Sequence, residues 1–296
     1  MSRTERPRGD RFEPDSDNLE VSFTPLEDEA GLMVSDLIER NQFCLFTDRP
    51  VSPTPVDPDG HRFPIDAAAA IDAAEIALPT VVSVCVRNEA GEMLAETDHS
   101  AYEEFPHGTY SLELCGPIKI YLRVDGPVTV ASDVNRTHID FDGVREVRVG
   151  ARSHHEGPAA TLTTTDDPVD VMAAVSEFSS ALKTTSPERS YPTLRGHPPL
   201  VELGDRFEIP NGVVSPETGI RLELPPEYDA IYVAAPLAYY VAADVVPGDS
   251  PRLVTANGFE HDLDTVRGFE TEVERVLKQT FFLDCVTRTE GYYSVD

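Results

Sequence analysis

The chain of 296 residues has no tryptophan and only three lysines: Lys119, Lys183 and Lys278. It has no run of 18 apolar residues, so no transmembrane helix is expected. The first residues, Met1-Ser2-Arg3-Thr4-Glu5-Arg6-Pro7, lack the apolar stretch of a secretory signal, which predicts a cytoplasmic chain. Four cysteines, Cys44, Cys85, Cys115 and Cys285, form no C-x-x-C pair. Three of them lie in apolar runs, so buried thiols in a reducing compartment are expected rather than a zinc site. The sequence also lacks a phosphate-binding glycine loop, a paired-glycine dinucleotide fingerprint, a G-x-S-x-G elbow and an H-E-x-x-H helix. No cofactor and no metal site are therefore expected.

Acid is what the chain has in excess. There are 53 Asp and Glu against 24 Lys and Arg, a formal net charge of −29. A polyanion such as nucleic acid would be repelled, and so would an anionic membrane surface. The longest basic run, Arg3, Arg6, Arg8 and Arg11, is diluted by Glu5, Asp10 and Glu13. Self-repulsion at −29 destabilises a compact fold in dilute buffer. In molar salt the Debye length falls to about 3 Å and that repulsion largely vanishes. Carboxylates spread along the whole chain, with lysine replaced by arginine, read as adaptation to a salt-filled cytoplasm. With 53 carboxylates present, an Asp/Glu pair carries no information about catalysis.

Residues 1–20 are polar and aperiodic and are expected to form a disordered tail. Thr24-Pro25-Leu26-Glu27 reads as a helix start, with Leu26, Ala30, Met33, Val34, Leu37 and Ile38 at helical spacing up to Asn41. Residues 65–78 are alanine-rich and fit a helix or two short strands. From 80 to 152 the pattern is β, with short strands punctuated at Gly116-Pro117, Asp125-Gly126-Pro127 and Asp142-Gly143. Such strands suggest an antiparallel sandwich or barrel-like domain over residues 21–155.

Residues 156–296 read as a smaller α/β domain. Asp167 and Pro168 open a helix, and short strands are expected at 200–203, 206–209 and 220–224. Asp229 to Ala235 reads as a continuous apolar strand, followed by a helical turn from Pro236 and a strand at Arg252 to Thr255, a β-α-β unit. A long amphipathic helix from about Asp264 places Val266, Phe269, Val273, Val276, Leu277 and Thr280 on one face. The chain stops at Tyr292-Tyr293-Ser294-Val295-Asp296 without a polar tail, so either a terminal strand or a domain truncated at its C-terminal end is expected. The fold class is thus α+β: an N-terminal β-rich domain, then an α/β unit ending in a long helix.

One segment stands out for chemistry. Arg189, Arg195 and His197 lie close together in a chain that otherwise avoids cations, with Gly196 and prolines around them. Arginine forks bind carboxylate or phosphate, so this segment is a candidate anion site or docking loop. In so acidic a chain, internal pairing of each Arg with an Asp or Glu is the competing expectation. Tyr239 and Tyr240 lie near the expected crossover, where ligands of α/β units bind, and can equally be core. His154-His155-Glu156 is expected to be a surface loop rather than a metal site. His107 with Cys115, or His197 with Cys285, could be imagined as dyads, but sequence separation gives no distance.

The run Ile231-Tyr232-Val233-Ala234-Ala235-Pro236-Leu237-Ala238-Tyr239-Tyr240, with Glu274-Arg275-Val276-Leu277-Lys278-Gln279-Thr280-Phe281-Phe282-Leu283-Asp284-Cys285, resembles uncharacterised haloarchaeal proteins. The resemblance implies that longer relatives carry a caspase-like CHAT domain at their C-terminal end, which here would lie beyond Asp296. No His/Cys pair of that domain is recognisable, so no catalytic residue is carried over. The expectation for function is a non-catalytic binding or scaffold region. Its partner would be another protein or a downstream domain of the same chain. The alternative is a hydrolase-type enzyme with a site near the Arg195 loop and Tyr240.

Overall fold

The computed structural model describes residues 20–97 and 100–291. Of the tail expected at 1–20, residues 1–19 lie outside the described residues, as do the terminal residues Tyr292 to Asp296. The fold is α+β. An antiparallel sheet-rich region comes first, followed by a smaller region of helices and short strands.

The large sheet contains β1 (Val21–Pro25), β2 (Gly31–Asp36), β3 (Asn41–Thr47), β4 (Thr54–Pro55), β5 (Ala67–Ala77), β6 (Ser83–Asn88), β7 (Met93–Thr97), β8 (Tyr102–Cys115), β9 (Lys119–Ser132) and β10 (Thr137–Arg152). Their order is β1-β2-β3-β5-β10-β9-β8-β6-β7, with β4 on the free part of β5. The sheet folds over on itself. Asn41 at the start of β3 donates to the carbonyl of Pro117 in the β8–β9 turn (3.3 Å), although three strands, β5, β10 and β9, lie between β3 and β8 in the sheet. One apolar core therefore runs from Val21, Leu32 and Leu45 to Val84, Leu112, Leu122, Ile139 and Val149. Alternation in the strands turns every second side chain into that core and its neighbours to the outer face.

Two expectations fail here and one open reading is decided, each for a reason seen in the packing. Residues 24–41 form β1, β2 and the turn to β3 rather than a helix. Leu32 and Val34 alternate into the core, and a side chain on Gly31 would meet Leu45 O at 2.5 Å, so β2 lies hard against β3. The helical spacing of Leu26, Ala30, Met33 and Val34 coexists with this period-2 pattern, and tertiary pairing decides between them. The alanine run is β5, a strand, because small residues let the 61–65 segment lie flat on the sheet. A Cβ on Gly150, which pairs with Ala68, would sit 2.5 Å from Ile65 and 2.8 Å from His61. Finally, Asp125-Gly126-Pro127 and Asp142-Gly143 do not end strands. They lie inside β9 and β10, where the register shifts, so the expected short strands on either side of each fuse into two strands, of 14 and 16 residues.

The second region opens with β11 (Thr161–Thr164), which pairs in parallel with β12 (Leu200–Leu203). Residues 206–209, expected as a strand, contribute only a bridge between Thr163 and Glu208. Between β11 and β12 lies α1 (Pro168–Ser176). Asp167 caps it by accepting the Val169 N–H at 2.9 Å, and Pro168 fills its first turn. A short helix, α2 (Pro192–Arg195), follows before β12.

The remaining elements are β13 (Ile220–Leu224), α3 (Tyr228–Val241), β14 (Asp244–Pro247), β15 (Arg252–Thr255), β16 (Glu260–Asp262) and α4 (Phe269–Thr287). The strands order as β14-β13-β15-β16. Asp229 to Ala235, expected as a strand, is thus the first half of α3. Ile231, Ala234, Leu237, Ala238 and Val241 are buried at helical spacing, and the helix carries Pro236 inside it. The β-α-β unit exists one element earlier than expected, as β13-α3-β14 with parallel strands. A second apolar core gathers α1, α3, β13, β14 and the start of α4 around Met172, Leu222, Ile231, Leu237 and Val273. Val266 stands fully exposed before α4 and does not join the face expected of it.

Candidate functional site

The segment 187–197 folds as two tight turns because its prolines begin each one. Pro187–Ser190 is a 3₁₀ turn and Pro192 opens α2. Gly196 ends α2 at φ 68°, where a side chain would meet Ala181 O at 2.5 Å and His155 Nδ1 at 2.7 Å. Only glycine fits both the dihedral and the space.

Four of the five candidate residues meet at this segment. Arg189 Nε donates to Asp284 Oδ2 on α4 at 2.8 Å, and the Tyr240 hydroxyl donates to the same oxygen at 2.8 Å. The Arg189 guanidinium also lies 4.8 Å from the centre of the Tyr240 ring. The Tyr239 hydroxyl lies 2.7 Å from Arg195 O and 2.6 Å from Gly196 O, so its single proton is shared between two carbonyls. Arg195 donates to Ser190 O and stacks over Phe281 at 5.7 Å. Burial pushes the hydroxyls of Tyr239 and Tyr240 above the usual tyrosine range, and for Tyr240 the Asp284 carboxylate adds to it. Both stay protonated donors. The internal-pairing expectation therefore describes Arg189, which finds Asp284. These contacts clamp α3 to α4.

What the clamp leaves on its outer side is apolar. A shallow hollow of about 360 Å³ is lined by Arg195, Pro236, Tyr239, Tyr240, Leu277, Lys278 and Phe281. Beside it, Phe282, Leu283 and Val286 on α4 are all more than half exposed.

His197 does not join this group. Its Nδ1 is 2.6 Å from the Pro198 carbonyl, and it lines a separate cleft of about 420 Å³ with His155, Arg40 and Glu20. His155 is buried, which corrects the expected surface loop. The segment is tied down by Glu39, which accepts the Glu156 and Gly157 N–H groups, and by Asp66, which accepts that of Ser153. Burial and the nearby Lys183 ammonium push the His155 imidazole down to about 4. The thiols are also only partly as expected: Cys85 is buried, whereas Cys115 is exposed at the end of β8. Among the described residues, no group of three or more His, Cys, Asp or Glu side chains is placed to hold a metal ion, and no helix is long and apolar enough to cross a membrane.

A buried charged network at the junction of the two regions escaped the sequence reading. Arg152 closes β10 with no exposed surface. Its Nη1 donates to Pro64 O at 2.6 Å, and its Nη2 to Thr193 Oγ1 at 2.8 Å, Tyr121 OH at 3.1 Å and Glu290 Oε1 at 3.4 Å. Tyr121 in turn donates to Glu290 at 2.9 Å. Lys119 pairs with Glu113 and lies 4.0 Å from Glu290. Burial pushes the Glu290 carboxyl up against the pull of Arg152, whereas Glu113 outweighs burial and holds the Lys119 ammonium above its usual range. Lys183 likewise bridges Glu20 and Asp66 across the junction. Period-2 alternation carried the missed signal: Glu113 and Lys119 alternate with Leu112, Leu114 and Ile120, which places them on the outer face of the sheet.

No family model, no curated protein and no solved structure gives a significant match to this chain.

Proposed function

We propose that this chain is a non-catalytic binding or scaffold module of a halophilic, cytoplasmic protein, and that the α3–α4 face receives another protein. The supporting observation is the surface of α4. Phe281, Phe282, Leu283 and Val286 occupy successive directions around the helix, and all four are exposed to some degree. Contiguous exposed apolar surface marks interaction sites. The acidity of the chain defines the other half of the contact. A partner must bring apolar side chains with basic rather than acidic residues around them, because like charges at the rim oppose docking. The resemblance to haloarchaeal proteins with a downstream CHAT domain fits a module of this kind. The hydrolase-type alternative near Arg195 and Tyr240 gains no support, because the polar atoms there are engaged with one another and both tyrosines are held protonated.

A photo-crosslinking residue at Phe282, compared with one at exposed Val144 on the large sheet, tests the docking face. The expected product is a heterologous adduct from position 282 alone, with an apolar and basic partner peptide at the crosslink. No adduct from 282, equal adducts from both positions, or an acidic partner peptide overturns the proposal. The halophilic part has its own test. Secondary structure followed by circular dichroism is expected to be lost as KCl is lowered from molar to about 0.1 M, and an unchanged spectrum contradicts it.

A further inference from the structure

We propose that a groove across the outer face of the large sheet, where Arg123 and Arg148 face each other, binds a small oxyanion, phosphate or carboxylate. The register places a row of polar residues straight across four strands. Arg87 of β6 pairs with Ser111 of β8, Ser111 with Arg123 of β9, and Arg123 with Arg148 of β10. Their neighbours Val86, Leu112, Leu122 and Val149 point into the core, so this row points outward.

Like charges directly opposite one another across a sheet are destabilising. In a chain with 53 carboxylates an acidic residue between them would relieve this, yet among the described residues no carboxylate lies within 4.0 Å of both. Arg148 Nε donates to its near neighbour Glu146 at 3.1 Å, at the exposed side. Arg123 donates from Nη1 to the carbonyl of Gly60, Arg145 from Nε to that of Phe141 at 2.8 Å, and Arg62 to that of Ala90 at 3.5 Å. Among the described residues these last three have no carboxylate within 4.0 Å. Backbone carbonyls position a guanidinium without neutralising it.

The guanidiniums also converge. A point one Cβ bond from Gly60 lies 3.5 Å from Arg148 Nη1 and 4.0 Å from Arg123 Nη1. Two hollows meet here, of about 300 and 420 Å³, and both are lined by Thr109 and Arg123. The local field is visible on His61, whose imidazole is pushed down to about 4 by burial and then by Arg123 and Arg148. Asp59, Glu89, Asp125 and Glu146 stand around the groove. They leave room for one compact anionic group and disfavour an extended polyanion. Arginine forks match both phosphate and carboxylate oxygens.

The test titrates inorganic phosphate, and acetate in parallel, into the full chain in molar KCl, with the His61 imidazole followed by NMR. Saturable binding of at least one of the two is expected, with the His61 pKa rising from about 4 as the anion screens the guanidiniums. Which anion binds assigns the oxyanion. Arg123→Gln and Arg148→Gln are each expected to weaken binding at least tenfold, while Arg206→Gln on the distant surface leaves it unchanged. Arg148 is solvent-exposed, so its variant keeps the fold if Arg123→Gln does not. Absence of saturable binding for both anions, a His61 pKa that does not move, or binding that survives Arg148→Gln overturns the proposal.

Discussion

In the large sheet the apolar side chains face inward and the charges face out, with Arg123 and Arg148 on the outer face. In the helical region the arrangement is partly reversed. Asp284 turns its carboxylate inward to Arg189 and Tyr240, while Phe282, Leu283 and Val286 on the same helix face solvent. The difference follows from how each region encloses a core. A curved sheet that folds over on itself supplies both walls of its own core. Here α1 and α3 lie against the strands and α4 packs on α3, so the far side of α4 is left uncovered, and that side is polar or waits for a partner. Cations divide in the same way. Arg189 is held in place by an acidic side chain of the same chain, whereas Arg123 donates to a backbone carbonyl and, among the described residues, has no carboxylate within 4.0 Å.

The two regions are joined through charge, and the largest expected effect comes from breaking that joint. Arg152→Ala removes the guanidinium that contacts Glu290, Tyr121 and Thr193 together, and leaves Glu290 buried without it. Breaking a buried pair by removing one partner costs about 3–5 kcal/mol. Chemical denaturation in molar KCl is expected to show this loss. It should also separate the unfolding of the sheet, seen by circular dichroism, from that of the helical region. A loss below about 1 kcal/mol would mean that the regions are held together by something other than this network.

A smaller effect comes from pH. His61 on the sheet and His155 at the junction are both held near 4, below the ordinary value of about 6.5. The unfolded chain therefore binds protons in that window that the folded chain refuses, so stability is lost as pH falls from about 6.5 to about 4. Denaturation midpoints measured across that window should fall steadily. His61→Gln and His155→Gln should each flatten the slope, and a slope unchanged in both variants would show that these imidazoles titrate normally.

Much of this architecture was legible in the sequence. Alternation and turn residues marked the sheet region, Asp167-Pro168 marked α1, and the apolar spacing of residues 269–280 marked α4. Two patterns misled because one string can satisfy two periods. Leu26 to Ile38 has helical spacing, but Leu32 and Val34 also alternate, and only β3, arriving from later in the chain, selects the strand. Ile231 to Ala235 is continuously apolar, which fits a buried strand or a buried helix equally well. The cations were read by closeness in sequence, which found Arg189 and Arg195. The row of Arg87, Arg123 and Arg148 is assembled by register from strands up to 61 residues apart and cannot be seen without it.

The sharpest contrast between the regions is whether the exposed apolar residues of α4 serve packing or docking. Phe282→Ser with Val286→Ser in the full chain, unfolded in molar KCl, measures this directly. Side chains waiting for a partner contribute little to the isolated fold, so the expected change is within about 0.5 kcal/mol, together with loss of the crosslinked partner. A destabilisation of more than about 2 kcal/mol, with the partner still bound, would place both residues in a core and contradict the docking role of the α3–α4 face.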